Sequence, residues 1–182
     1  MSKKKKLALK AHRRVTPGQI QEILFQETVR GCILAAQGHL DGMLHDLIVS
    51  KLSRPSKDTD EQIALLLETG NPPFQSFFWK AVLVRALRLI DDKTYKALQK
   101  LNEIRRSFAH QPIAKLTFEQ VDALRRLLNP RCEREVDQAL RRTPHHATEP
   151  EEYAKQEFVR IAISLMRVIN DCQRVAAKRK IK

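Results

Sequence analysis

Glycine, aromatic residues and cysteine are all scarce in this chain of 182 residues. Five glycines, none of them clustered, leave no Gly-rich loop of the kind that cradles phosphates in P-loop and Rossmann proteins. The three cysteines, Cys32, Cys132 and Cys172, form no CxxC pair, and the six histidines are scattered. His145 and His146 are adjacent in a Thr-Pro loop, a poor pair of ligands. No structural metal and no cofactor is therefore expected. Distant thiols in odd number read as buried, idle groups in a reducing cytoplasm. No run of about 18 apolar residues occurs, so no helix is expected to span a membrane. The lysine-rich start lacks a following apolar h-region and does not read as a secretory signal. A cytoplasmic location is expected. No alternating strand pattern and no repeat interrupts the chain.

What is present favours helix. Leu, Ala, Arg, Lys, Glu and Gln dominate, and all are strong helix formers. The expectation is an all-α protein, a bundle of about six to seven helices with no sheet. The net charge of +13 is unevenly placed. Residues 1–14 carry Lys3, Lys4, Lys5, Lys6, Lys10, Arg13 and Arg14 with no acid, and residues 174–182 carry Arg174, Lys178, Arg179, Lys180 and Lys182, again with none. The body between them has 22 basic against 21 acidic residues. The chain thus divides into a basic tail, 1–15, a single helical domain, 16–173, and a basic helix end, 174–182. Such ends meet DNA or RNA through phosphate neutralisation, without reading bases; they also occur as plain solubilising tails.

Helix boundaries can be read locally. Thr16-Pro17 is an N-cap followed by Pro at the first helical position. The apolar series from Ile20 and Leu24 to Leu47 and Ile48 predicts one long helix over 17–52, in which Gly31, Gly38 and Gly42 mark either a break or a close helix approach. A short helix over 59–69 ends at Gly70. The next, 74–90, holds Phe74, Phe77, Phe78 and Trp79, which read as a buried aromatic anchor. Asp91 and Asp92 start a helix over 92–109 with Tyr95, Leu98, Leu101, Ile104 and Phe108 on its buried stripe. Thr117-Phe118-Glu119-Gln120 is a capping box for a helix to Leu128. A short, highly charged helix over 131–142 carries Arg131, Arg134, Arg141 and Arg142. A last helix, 149–178, has its stripe at Tyr153, Phe158, Ile161, Leu165, Val168, Ile169 and Val175.

Only Leu101–Phe118 departs from generic amphipathic helix. Arg105 and Arg106 precede His110 near a helix C-terminus, with Pro112 just beyond. One reading is electrostatic: cations stabilise the negative end of a helix dipole. The other is an anion site, because guanidinium forks fit phosphate oxygens and histidine titrates near neutrality. On a helix Arg106 and His110 share a face, whereas Arg105 points about 140° from His110, so one chain need not unite all three.

The stretch Asn71–Phe118, with Arg105-Arg106-Ser107-Phe108-Ala109-His110 at its centre, resembles the mannitol repressor family of bacterial regulators over roughly residues 20–128. Its Arg-x4-His core also resembles the HEPN superfamily of helical nucleotide- and RNA-binding domains. These resemblances imply a HEPN-like, mannitol-repressor-like helical fold, a homodimer and a transcription-linked role. In active HEPN ribonucleases the motif cleaves RNA without metal across a dimer interface. Both patterns place Asn or another neutral polar residue where this chain has Arg106.

Three functions compete. The favoured one is a non-catalytic, mannitol-repressor-like regulator that binds nucleic acid or a protein partner, with Arg105, Arg106, His110 and the basic ends as contacts. The alternative is a metal-independent endoribonuclease, with His110 as general acid–base and Arg105 stabilising phosphate charge. The third is a helical interaction module whose motif is purely structural. Arg106 and the lack of any other catalytic group favour the first.

Overall fold

The computed structural model describes residues 16–52, 67, 75–111, 113–142 and 149–178. Among them are seven helices and no strand: α1 Pro17–Gln26, α2 Val29–Leu52, α3 Phe77–Ala86, α4 Asp92–His110, α5 Phe118–Arg125, α6 Pro130–Arg142 and α7 Pro150–Lys178. The all-α expectation holds. Apart from buried Leu67, the short helix expected over 59–69 lies outside the described residues, as do Phe74, the His145-His146 loop, the lysine-rich tail 1–15, and Arg179, Lys180 and Lys182.

The expected helix over 17–52 is two helices. The predicted cap at Thr16 forms, as a reciprocal capping box with Gln19. The break falls at Glu27-Thr28, where Glu27 is extended and the Thr28 hydroxyl accepts from the Gly31 N–H at 3.1 Å, starting α2. The freed end of α1 finds a distant donor: Lys155 Nζ reaches the Phe25 carbonyl at 3.0 Å. At Gly31 a Cβ would meet the Glu27 carboxylate and the Thr28 hydroxyl, groups of the break itself, whereas Gly38 and Gly42 do not mediate close approach. A Cβ at Gly38 or Gly42 would meet nothing within 4 Å.

Helix α7 is the centre of the bundle and packs against α1, α2, α5 and α6. From Ala154 to Met166 every residue but Gln156 is buried. A single apolar stripe was expected, yet this segment is enclosed all round, as a helix becomes when neighbours cover every face. Four polar residues, Lys155, Glu157, Arg160 and Ser164, are enclosed with it. The stripe expectation fails at its end, where Val175 is 51% exposed. Helix α2 contacts both α7 and the α3–α4 pair, so the core is continuous from α7 to α4.

Three other expectations need correction. Of the aromatic run, Phe77 is buried, but Phe78 and Trp79 are 38% and 50% exposed and pack edge-on against each other at 5.3 Å. Helix α3 also stops at Ala86, with Arg88 at a φ of 55°, a left-handed turn that redirects the chain into Asp91. Helix α5 ends at Arg125 rather than Leu128.

A candidate cationic corner at the end of helix α4

Helix α4 is held at its start, middle and end. Asp91 caps it by accepting from the Thr94 N–H at 2.6 Å, and Asp92 puts a negative charge in its first turn. Asn129 donates to Asp91 Oδ2 and Thr94 Oγ1, both at 2.9 Å. Arg85 pairs with Asp92 at 2.8 Å and lies 4.8 Å over the Tyr95 ring. Midway, Gln37 donates to Asn102 Oδ1 at 3.0 Å. At the far end Arg30 Nη2 donates to the carbonyl of Gln111, the C-cap, at 2.7 Å. The expected stripe Tyr95, Leu98, Leu101, Ile104 and Phe108 is buried throughout.

The three motif residues have different environments. Arg106 and His110 are exposed and, four apart, share a face. Arg105 is half-buried, and its Nε is buried with no hydrogen-bond partner among the described residues. A single chain therefore presents Arg106 and His110 together and turns Arg105 elsewhere. Further along the chain come Ile113, 87% exposed, and Phe118, 51% exposed, whose ring is 6.0 Å from Tyr153. Sequence reasoning missed Arg30 and this apolar pair. Arg30 sits 81 residues before Gln111, and no local signal joins them.

The remaining titratable groups offer no second catalytic set among the described residues. Burial pushes the Cys32 thiol up to about 12 and the Cys132 thiol up to about 11, far from the thiolate a nucleophile needs. Burial holds His39 below its ordinary value. No cluster of three His, Cys, Asp or Glu that could hold a metal occurs among the described residues. No helix among them is long and apolar enough to cross a membrane. The enclosed charges of α7 are matched internally: Arg125 binds Glu157 and Asp137, each at 2.5 Å. Arg160 stands 3.8 Å from Glu157.

A comparison with family models finds no match, and neither does one with curated protein sequences. Among solved structures, the chain is similar to one in the X-ray structure of the MtlR–HPr complex from Escherichia coli, with a TM-score of 0.61 and 16% identity over 86% of this chain and 98% of that one. The chain has an MtlR-like fold. Of the fold implied by the Arg105–His110 stretch, the MtlR-like part is thus observed, and the likeness runs over almost the whole length of that chain.

Proposed function

We propose that this chain is a non-catalytic, MtlR-like regulator that acts by docking a protein partner, as MtlR does with HPr. The observation that carries this reading is the near-complete fold overlap with a protein solved in such a complex. The corner at the end of α4 fits a docking role. Exposed Ile113 and Phe118, which follow exposed Arg106 and His110 closely in the chain, would combine apolar contact with a polar rim, as protein interfaces do. A transcription-linked role and homodimerisation belong to the same proposal, on the strength of the family resemblance.

The test is calorimetric titration of the full chain with purified HPr, with wild type and Ile113→Asp/Arg106→Glu compared and light scattering run on the free chain. Binding that the double variant weakens is expected. In parallel, wild type and His110→Ala are incubated with mixed RNA and matched DNA without divalent metal. Uncut RNA is expected. RNA cut by wild type and spared by His110→Ala would overturn the proposal in favour of a ribonuclease.

A further inference from the structure

The charged helix α6 is absorbed by neither the motif nor the proposed docking corner. Its inner face, Cys132 and Val136, is buried against the core, with Leu140 packed beside them. Its outer face carries Arg131, Arg134, Gln138 and Arg141, spaced three, four and three apart, which places them in a row. With Glu135 and Asp137 they line an open trough of about 490 Å³. A smaller hollow of about 160 Å³ shares Glu135 and Gln138 with it and is also lined by Arg160 and Arg167 of α7.

The acids of the trough are already committed. Asp137 is held by Arg125 at 2.5 Å. Glu135 lies between Arg131 at 3.6 Å and Arg167 at 3.7 Å. Arg131 also pairs with Asp171. Arg134 and Arg141 are exposed and have no carboxylate partner among the described residues, so the row carries uncompensated positive charge. The pairs Arg131–Asp171 and Glu135–Arg167 fix α6 antiparallel to α7. Beyond Asp171, α7 runs on to exposed Arg174, which stands 3.6 Å from Asp171, and to Lys178. Arg179, Lys180 and Lys182 follow in the sequence. The row therefore leads towards the basic end of the chain.

We propose that the α6 trough binds the phosphodiester backbone of a nucleic-acid strand, with Arg134 and Arg141 making the phosphate contacts and Arg131 and Arg174 extending the track. From Arg131 to Arg141 the helix rises about 15 Å, the span of about four phosphates at the rise of one strand. Guanidinium forks match phosphate oxygens in pairs. A protein partner would want apolar residues at the centre, and the six residues that line the trough are all charged or polar, the carbon they expose being their own side-chain stems. It also lacks an aromatic ring on which bases could stack. The contact is thus with the backbone, independent of sequence.

The test is fluorescence anisotropy of the full chain with a labelled 20-nucleotide RNA strand and a DNA strand of the same sequence, over a series of salt concentrations. Arg134→Gln/Arg141→Gln is compared with wild type, and circular dichroism verifies the fold. Loss of two phosphate contacts should make the slope of log affinity against log salt shallower by about 1.4 and weaken binding on the order of ten-fold at low salt. The same change should appear when Lys3, Lys4, Lys5 and Lys6 are all replaced by Gln, because the trough acts apart from that tail. RNA and DNA should respond alike. An unchanged slope in the folded double variant would overturn the assignment, as would a strong preference for one sugar. Displacement of the RNA by poly-glutamate as readily as by unlabelled RNA would reassign the trough to an acidic protein.

Discussion

Asn129 donates its side-chain amide to Asp91 Oδ2 at 2.9 Å, so the residue that opens α6 is fastened to the residue that opens α4. The other face of the same side chain accepts from the Arg131 and Cys132 N–H groups at 3.1 and 2.8 Å, which caps α6. Asn129 is 7% exposed. One asparagine thus fixes the motif helix relative to the helix that carries the cationic trough.

Replacing Asn129 with Ala removes the cap of α6 and leaves Asp91 and Thr94 short of a donor. The cap costs up to about 2 kcal/mol and each orphaned polar group about 1 or more. A loss of about 2–4 kcal/mol is expected in urea unfolding. Asn129→Asp keeps the acceptor that caps α6 but sets a carboxylate against Asp91. Its destabilisation should be larger at pH 7 than at pH 4, where one of the two acids takes up a proton.

Asp91 supplies a pH dependence of its own. Burial pushes its carboxyl up, but hydrogen bonds from the Thr94 backbone and side chain and from Asn129 outweigh this and hold it below the ordinary value. A carboxylate depressed in the folded state stabilises the fold above its unfolded value of about 3.9, and that stability is lost as pH falls through the folded value. In unfolding measured from pH 7 to pH 2, Asp91→Asn should lower stability at neutral pH and flatten the fall below about pH 4. A curve parallel to wild type over the whole range would contradict this.

Lys80 and Asp41 join α3 to α2 at 2.7 Å, with the lysine side chain 7% and the aspartate 33% exposed. Asp41 Oδ1 is buried without a hydrogen-bond partner. Lys80→Ala strands that carboxylate and should cost about 2–3 kcal/mol, at or below the low end for a broken buried pair because Asp41 keeps some solvent. Lys80→Met combined with Asp41→Asn should recover most of the loss. A double-mutant cycle with no coupling would show that the pair contributes nothing.

Arg105 breaks a local rule, for its buried Nε has no partner among the described residues. Arg105→Met relieves that desolvated donor and should leave stability unchanged or raise it by about 1 kcal/mol. A residue that costs stability where it stands is a marker of function. Binding or cleavage activity lost in a protein that unfolds no earlier than wild type would identify Arg105 as held for that function. Clear destabilisation would make it structural.

Much of the fold was legible because its signals are local. Thr16 with Gln19, Asp91 with Thr94, and Thr117 with Gln120 are caps closed within four residues. The buried stripe of α4 follows from spacings of three and four alone. At the candidate corner the sequence placed Arg106 and His110 on one face and Arg105 on another, from helix geometry. It could not supply Arg30 at Gln111, or the exposure of Ile113 and Phe118, since these depend on which distant elements pack nearby. The aromatic run misled for the same reason: apolar character says that a side chain gains from burial, not that a neighbour arrives to cover Phe78 and Trp79.

The sequence by itself determined the helical class, most helix starts and the segregation of charge to the two ends, because propensity, capping and amphipathic period act between residues a few positions apart. Tertiary structure decided the rest. It divided the first long helix, because Lys155 reaches across 130 residues to the Phe25 carbonyl. It made α7 the enclosed centre, because Arg125 of another helix balances Glu157 there. It also turned the arginine row of α6 towards solvent, because Cys132 and Val136 on another face of that helix are buried in the core.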